Sequence, residues 1–535
     1  MSVPEQPATL NDPSPPRDGV GSWRCLAAVL AIVGVLAVWI NLDGLHRYQS
    51  GDSVVPVLMS LYRWTPFYWE TNRLGSLLPL LARPFRDPLA NMLVQYTTAT
   101  WLGISAFFLG ARYVLGGGPW IAAGAIAAGI YLDFQPAGLR FEMMMTQHAY
   151  GTALALGFGG LILLDHVATT RAWMRGALGM AALSLALWVN VSLIASLLPV
   201  IVLRHWPSAA KLRESPDVAA PGGPPAQSDP APSFCGKRGR FAITLRASWL
   251  SLAGVAAGFI FSLVWSRMRR HYETYTLLPL LQIGQSWMHL WREAFATFPG
   301  ATWGAAAALA AATIVLVVNR QARQSIVDSL RAALPLLTGA LCHSVLMGSL
   351  AWVGMNAYAA RYLIVSIMLT LLAVAGLFST IIFKTIGYRW RSMATWATMA
   401  GFVGTIVVLH GTPSLASVRA DIDRTTGRLT KEIMEAECTH VIGSYWVVWP
   451  AVFHANLELF ERGDGRIVWG IASRCGPTKK FWSKVPPEQT KIAAAIGDDE
   501  VEKIAEMYQV GPLVEERQLQ TIRILRPAGF DMRPR

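Results

Sequence analysis

Long apolar runs alternate along this chain with short polar connections in which most of the basic residues sit. Runs close to the roughly 20 apolar residues that a bilayer requires occur at residues 24 to 42, 89 to 110, 118 to 133, 150 to 166, 247 to 265, 301 to 318, 333 to 350, 360 to 383 and 392 to 410. In hydrocarbon every backbone amide must find its partner within the helix, so these runs predict spanning α-helices. One stretch, 176 to 203, is too long for an ordinary span and is basic on both flanks, with Arg171 and Arg175 before it and Arg204, Lys211 and Arg213 after it. A single crossing would leave one basic flank on the non-cytoplasmic side. The pattern therefore predicts two short helices that meet near Trp188, Val189 and Asn190, with Asn190 shielded by protein at the turn. The expected fold is a polytopic α-helical membrane protein of about 11 membrane helices, two of them short and paired, with a small C-terminal α/β domain outside the cytoplasm.

Composition agrees with the bilayer as solvent: 53% of the 535 residues are hydrophobic and only 15% are charged. The net charge of +13 would suit a nucleic-acid binder, but the Lys and Arg residues lie mainly between apolar runs, which is the positive-inside pattern. Residues 1 to 23, rich in Pro, Asp and Ser, read as a disordered cytoplasmic N-terminus. The run that follows lacks a small-residue cleavage pattern and reads as a retained anchor. Placing Arg17 and Arg24 in the cytoplasm makes 43 to 88 the first external segment and 205 to 246 a cytoplasmic Pro-rich loop. By the same parity 266 to 300 is external, the membrane domain extends over 24 to 410, and 411 to 535 is an external soluble domain. The expected location is the cytoplasmic membrane, with surrounding lipids as partners. In the external tail a polar helix from Ser417 to Glu435, apolar strands at 439 to 442, 466 to 471 and 491 to 496, and a helix after Asp499 are expected. None of the five cysteines has metal-ligand spacing. Cys438 and Cys475 share the external tail, where an oxidising compartment favours a disulfide between them.

The chemistry-bearing residues concentrate in the external segments. After Asp52, apolar residues recur at helical spacing and suggest amphipathic helices lying on the membrane surface. Asp52 has two readings, an N-cap of such a helix or a carboxylate positioned to take a proton. Asp43, at the water boundary after the first span, reads as a solvated acid. Trp64, Phe67, Tyr68 and Trp69 form either an interfacial belt or a surface for stacking sugars. Arg73 and Gly75 follow in the same stretch, and Glu142 and His148 sit in the second external segment. Arg361, followed by Tyr362, opens a spanning helix from the external side, where a guanidinium can grip a lipid phosphate or snorkel to headgroups. Arg267, Arg269, Arg270 and His271 form a basic cluster on the side where such charge is unusual, which favours an anionic ligand.

An Asp-bearing first external loop, Gly51 and Asp52 followed by Pro56 and an aromatic stretch, paired short helices, and a late Arg361 and Tyr362 together resemble the GT-C membrane glycosyltransferases. The resemblance implies a polyprenyl-phosphate-linked sugar as donor and a hexosyl or pentosyl transfer with inversion. It implies an envelope glycan, lipid or protein as acceptor, and Asp52 as catalytic base or metal-associated acid. The paired acids of many members are absent here, which counts against metal dependence, with a divalent metal kept as the alternative. Arg361, Tyr362, Arg269, Arg270, His271, Glu142, His148, Arg73 and Trp69 are the candidate substrate contacts. Two other classes compete: a transporter or flippase of a lipid-linked sugar, which would want ionisable residues at mid-membrane and related halves, and a non-catalytic assembly protein of the envelope.

Overall fold

The computed structural model describes residues 20–44, 49–69, 75–116, 119–133, 142, 146, 149–165, 172–213, 235–267, 276–298, 306, 310, 313, 322–386, 388–472, 489–507, 510 and 512–528. The membrane domain begins with α1 (Val20–Asn41), followed by α2 (Gly51–Leu61), α3 (Leu77–Ala82), α4 (Pro88–Leu115), α5 (Trp120–Asp133) and α6 (Tyr150–Asp165). Next come α7 (Ala172–Val189), a 3-10 turn at Val191–Leu193, α8 (Ile194–Arg213), α9 (Cys235–Arg267) and α10 (Leu280–Thr297). The last membrane-domain elements are α11 (Ala322–Ser349), α12 (Ala351–Met355), a 3-10 turn at Ala360–Leu363, α13 (Ile364–Thr385) and α14 (Tyr388–His410). Six helices among the described residues contain stretches long and apolar enough to cross a membrane: α1, α4, α9, α11, α13 and α14. The bent pair α7 and α8 raises the number to seven if it counts as one span. The chain is a multi-pass membrane protein, with fewer long spans among these residues than the expected 11. The run 301 to 318 falls almost wholly outside the described residues, and α5 and α6 are short helices of 14 and 16 residues, most of whose side chains are buried.

Small residues let these helices approach closely, as packing without a hydrophobic drive between lipid-solvated helices requires. A Cβ on Gly160 would stand 2.8 Å from the carbonyl oxygen of Gly179, so α6 and α7 touch backbone to backbone. The expected break at Asn190 is present, and α7 and α8 are bent by 119° across it. Asn190 caps the new turn by accepting from the Ser192 amide at 3.1 Å and its hydroxyl at 2.7 Å. The Ser192 hydroxyl also meets Nε2 of His343 on α11 at 3.2 Å, and Nδ1 of that ring meets Ser366 on α13 at 3.0 Å.

The helix ends sort into two groups. At one end lie the first segment after α1, the Asn190 turn, the start of α10 and the turn holding Arg361. The Tyr68 hydroxyl donates to the carbonyl of Thr146 at 2.6 Å and the amide of Leu278 donates to that of Ser349 at 2.8 Å. At the other end Arg204 meets Asp165 at 3.3 Å and the carbonyl of Val114 at 3.2 Å, over the ring of Tyr113. The segments that the charge pattern assigned to one side thus meet at one end of the bundle. Gly75 makes this packing feasible: its φ is +97° and a Cβ there would sit 2.6 Å from the Cα of Val189. Gly75→Ala should cost about 1–2 kcal/mol for the left-handed backbone, with the clash in addition, read as a lowered thermal midpoint of the purified protein.

The C-terminal domain starts with α15 (Leu415–Glu435), β1 (His440–Gly443), α16 (Tyr445–Glu461), β2 (Trp469–Ala472) and β3 (Ile492–Ala495). It ends with α17 (Val501–Met507), β4 (Leu513–Gln518) and β5 (Ile522–Pro527). The five strands form one sheet in the order β2-β1-β3-β5-β4. Strand β1 runs parallel to both neighbours, pairing His440 with Trp469 and with Ile492, whereas β5 lies antiparallel to β3 and β4. A small apolar cluster joins α17 to one part of the sheet through Ile442, Ile471, Ile492 and Ile504. On the α15 and α16 side the domain shares a core with the first segment of the membrane domain. Val54, Val57, Leu58, Met59, Trp69 and Tyr96 pack in one cluster with Ile422, Trp449, Val452 and Phe453. Helix α2 is therefore not a surface helix, since all its residues from Gly51 to Ser60 are buried. Its apolar residues face protein on several sides, which is what a helix enclosed by partners shows.

The expected disulfide is not found: Cys438 is a buried free thiol, and Cys475 lies outside the described residues. Burial pushes the Cys438 thiol up to about 12, so it carries no thiolate at neutral pH.

Candidate active site

Helix α2 begins at Ser50, whose extended backbone makes it the N-cap, so Asp52 is not the cap and stands in the first turn. A carboxylate there is favoured by the unpaired amides and dipole of the helix start. Asp52 is only 3% exposed, and its Oδ1 accepts a hydrogen bond from the hydroxyl of Tyr445 at 2.9 Å. Tyr445 opens α16, so this partner of Asp52 comes from the C-terminal domain, 393 residues away in sequence. The close approach depends on Gly51, where a Cβ would stand 2.6 Å from the Tyr445 ring and 3.1 Å from its carbonyl oxygen.

A second contact fixes the strand that enters α2. The Gln49 amide donates to the carbonyl of Asp421 on α15 at 3.3 Å, and its oxygen meets Nε2 of His454 on α16. His454 and His440 are both buried, and burial pushes their imidazolium values down to about 4 and about 3 from the usual 6.5. Both rings are neutral at pH 7 and would take up protons on unfolding below 6.5. The unfolded chain binds more protons in that window, so stability is fully present above pH 6.5 and falls as pH drops towards 4. The effect of His454 alone is on the order of 3 kcal/mol at its limit. The unfolding midpoint of the C-terminal domain, followed by Trp fluorescence, should fall between pH 7 and pH 4.5, and His454→Gln should flatten part of that dependence.

Arg361 lies in the 3-10 turn before α13, reached through Ala357 and Tyr358, which both hold left-handed backbone at φ +53° and +52°. Such conformations cost energy and persist where surrounding packing over-determines them. The Arg361 Nη1 faces Glu142 Oε1 at 3.7 Å, and its guanidinium carbon lies 5.4 Å from the centre of the Tyr362 ring. Among the described residues the buried Nε of Arg361 has no hydrogen-bond partner. The Tyr362 ring itself packs against Trp352 at 4.7 Å.

Asp52, Glu142, Arg361 and Tyr362 lie at one end of the bundle. Trp69 departs from both of its expected roles. It is 1% exposed, its amide points at the Met59 sulfur at 3.2 Å, and its ring stands near Trp449 and Trp469 at 6.4 and 6.5 Å. It fills the core between the two domains, and Phe67 and Tyr68 are buried beside it rather than forming an interfacial belt. Asp43 pairs with His410 at 3.0 Å at the end of α14. Arg73, His148, Arg269, Arg270 and His271 lie outside the described residues. Among the described residues no group of three or more His, Cys, Asp or Glu side chains stands close enough to hold a metal ion. Tyr445, Gln49 and His454 were not singled out from sequence. A cavity of about 660 Å³, lined by Cys438, Arg466, Trp469 and Lys491, opens in the C-terminal domain without including Asp52 or Arg361.

No family model matches the chain, and no curated protein matches it. Among solved structures it is similar to the crystal structure of ArnT from Cupriavidus metallidurans in the apo state, with 10% identity and a TM-score of 0.41 over 94% of this chain and 98% of that one. The chain is likewise similar to ArnT from the same organism bound to undecaprenyl phosphate, at 10% identity and a TM-score of 0.44, with 97% of this chain and 100% of that chain covered.

Proposed function

We propose that the protein is a membrane glycosyltransferase that moves a sugar from a polyprenyl-phosphate carrier to an acceptor hydroxyl at the outer face of the cytoplasmic membrane. The observation that supports this reading is that a buried carboxylate, Asp52, and an Arg361 guanidinium whose Nε has no partner among the described residues stand at the same end of the helical bundle, with Tyr445 of the C-terminal domain bonded to Asp52. Asp52 takes the proton of the acceptor hydroxyl, and the freed oxygen attacks the anomeric carbon from the face opposite the phosphate. The bond from that carbon to the phosphate oxygen breaks, and its electron pair leaves with the carrier phosphate. Arg361 meets the growing negative charge with a fixed cation, and Glu142 orients the guanidinium without touching substrate.

The reaction can be read directly. Purified protein in detergent, supplied with a panel of polyprenyl-phosphate sugars and an envelope extract, should release free polyprenyl phosphate and label the extract. A flippase or an assembly factor would do neither, and absence of release with every donor in the panel would sink the proposal. In this assay Tyr445→Phe, which removes the bond to Asp52 but keeps the ring, should lower transfer roughly tenfold, the effect of about 1–1.5 kcal/mol. That loss should be far smaller than the loss on changing Asp52 itself.

A further inference from the structure

Helix α10 divides its surface into three sectors. At 3.6 residues per turn, Leu280, Leu281, Gly284, Met288, Trp291 and Phe295 fall within about 100° of one another. Leu280, Leu281, Met288 and Phe295 are 87%, 93%, 61% and 55% exposed. The next sector holds Gln282, Gln285, His289, Arg292 and Glu293, all exposed as well. The third packs on the protein through Ser286, Leu290 and Ala294, which are buried, with Trp287 donating to the Ser344 hydroxyl of α11 at 3.0 Å. A helix that only bordered water would not leave four large apolar side chains uncovered along one stripe. A spanning helix would not carry the polar sector, and α10 is not among the helices apolar enough to span.

We infer that α10 lies in the plane of the lipid leaflet at the end of the bundle that carries Arg361, with its apolar stripe immersed in lipid acyl chains and its polar stripe in water. The lipid surface is continuous with this stripe. Neighbouring α11, a spanning helix, exposes Leu337, Leu341 and Val345 at 38%, 51% and 43% along the half nearest α10. The two helices are in tight contact there, since a Cβ on Gly348 would stand 2.9 Å from Trp287. In-plane helices of this kind bind through buried apolar area, with basic residues at the boundary reaching headgroups, and Arg292 stands at that boundary. On the polar side His289 stacks on Tyr358 at 5.5 Å, so the helix also braces the strained loop that leads to Arg361.

Photocrosslinking tests the placement independently of any enzymatic activity. The photoreactive residue p-benzoylphenylalanine is introduced singly as Leu281→Bpa, Met288→Bpa or Phe295→Bpa, and on the polar stripe as Gln282→Bpa, His289→Bpa or Glu293→Bpa. The full-length protein is reconstituted in vesicles of phosphatidylethanolamine and phosphatidylglycerol labelled in their acyl chains, with Val345→Bpa as the reference for full lipid contact. After irradiation the three apolar-stripe positions should acquire label comparable to the reference, and the three polar-stripe positions several-fold less. Equal labelling of both stripes, no label on the apolar stripe, or a crosslink from the apolar stripe to a second protein chain would each overturn the inference.

Discussion

Asp52→Asn is expected to cut glycosyl transfer by roughly 100- to 10,000-fold, the range for loss of a general base, while the variant inserts and accumulates normally. The fold should survive for three reasons visible around the residue. Ser50, not Asp52, occupies the N-cap position, so the substitution leaves that position of α2 unchanged. The Asn carbonyl oxygen can still accept the bond that Tyr445 donates at 2.9 Å. The lost interaction of a carboxylate with the helix dipole is worth only about 0.3–1 kcal/mol. What disappears is the basic lone pair and the negative charge of the carboxylate. Asp43→Asn is the matched control, because that carboxylate pairs with His410 at the end of α14 and is half exposed. Ion pairs in such positions contribute about 0–1 kcal/mol, so its transfer rate should stay near normal. Full transfer by Asp52→Asn, measured as polyprenyl phosphate released, would remove the base from the mechanism, and loss in Asp43→Asn alone would mean that the other acid of the loop does the work.

The membrane class was legible because a bilayer leaves so little freedom: length, apolarity and the sign of the connecting loops are read locally. The break at Asn190 was legible for the same reason, since only a turn reconciles an overlong apolar run with basic flanks on both sides. The surroundings of Asp52 were not. Val54, Val55, Val57, Leu58 and Met59 make α2 apolar nearly all round, a sign of enclosure, but the enclosing helix α16 comes almost 400 residues later and nothing local announces it. Hence no local signal marks Tyr445, and Trp69 reads from the sequence as a membrane or sugar contact although it belongs to the core. Three strands of the C-terminal sheet stood out as apolar runs. Strand β4, Leu513–Gln518, did not, because as an exposed edge strand it carries two Glu and an Arg and lacks the apolar run. Strand β5 could have been found from Ile522 and Ile524, buried on either side of Arg523.

Arg361 offers the second large effect, and two substitutions separate its roles. Arg361→Lys keeps the positive charge opposite Glu142 but loses the planar fork and the contact with the Tyr362 ring, so the fold should hold while use of the donor falls. A hydrogen bond to a charged group is worth about 1.5–3 kcal/mol, which corresponds to roughly a 10- to 100-fold loss in kcat/KM for the lipid donor. Arg361→Met goes further, for it removes the cation facing Glu142 in a site where both side chains are mostly buried. Taking one partner from such a pair destabilises through the charge left behind, so its thermal midpoint should drop as well. Adding Glu142→Gln to Arg361→Met should restore the midpoint by neutralising that charge, yet leave transfer as low as before, because no cation then meets the departing phosphate. Donor use unchanged in Arg361→Lys, or transfer recovered together with stability in the double variant, would reduce Arg361 to a structural partner of Glu142 and leave the carrier phosphate to be bound elsewhere.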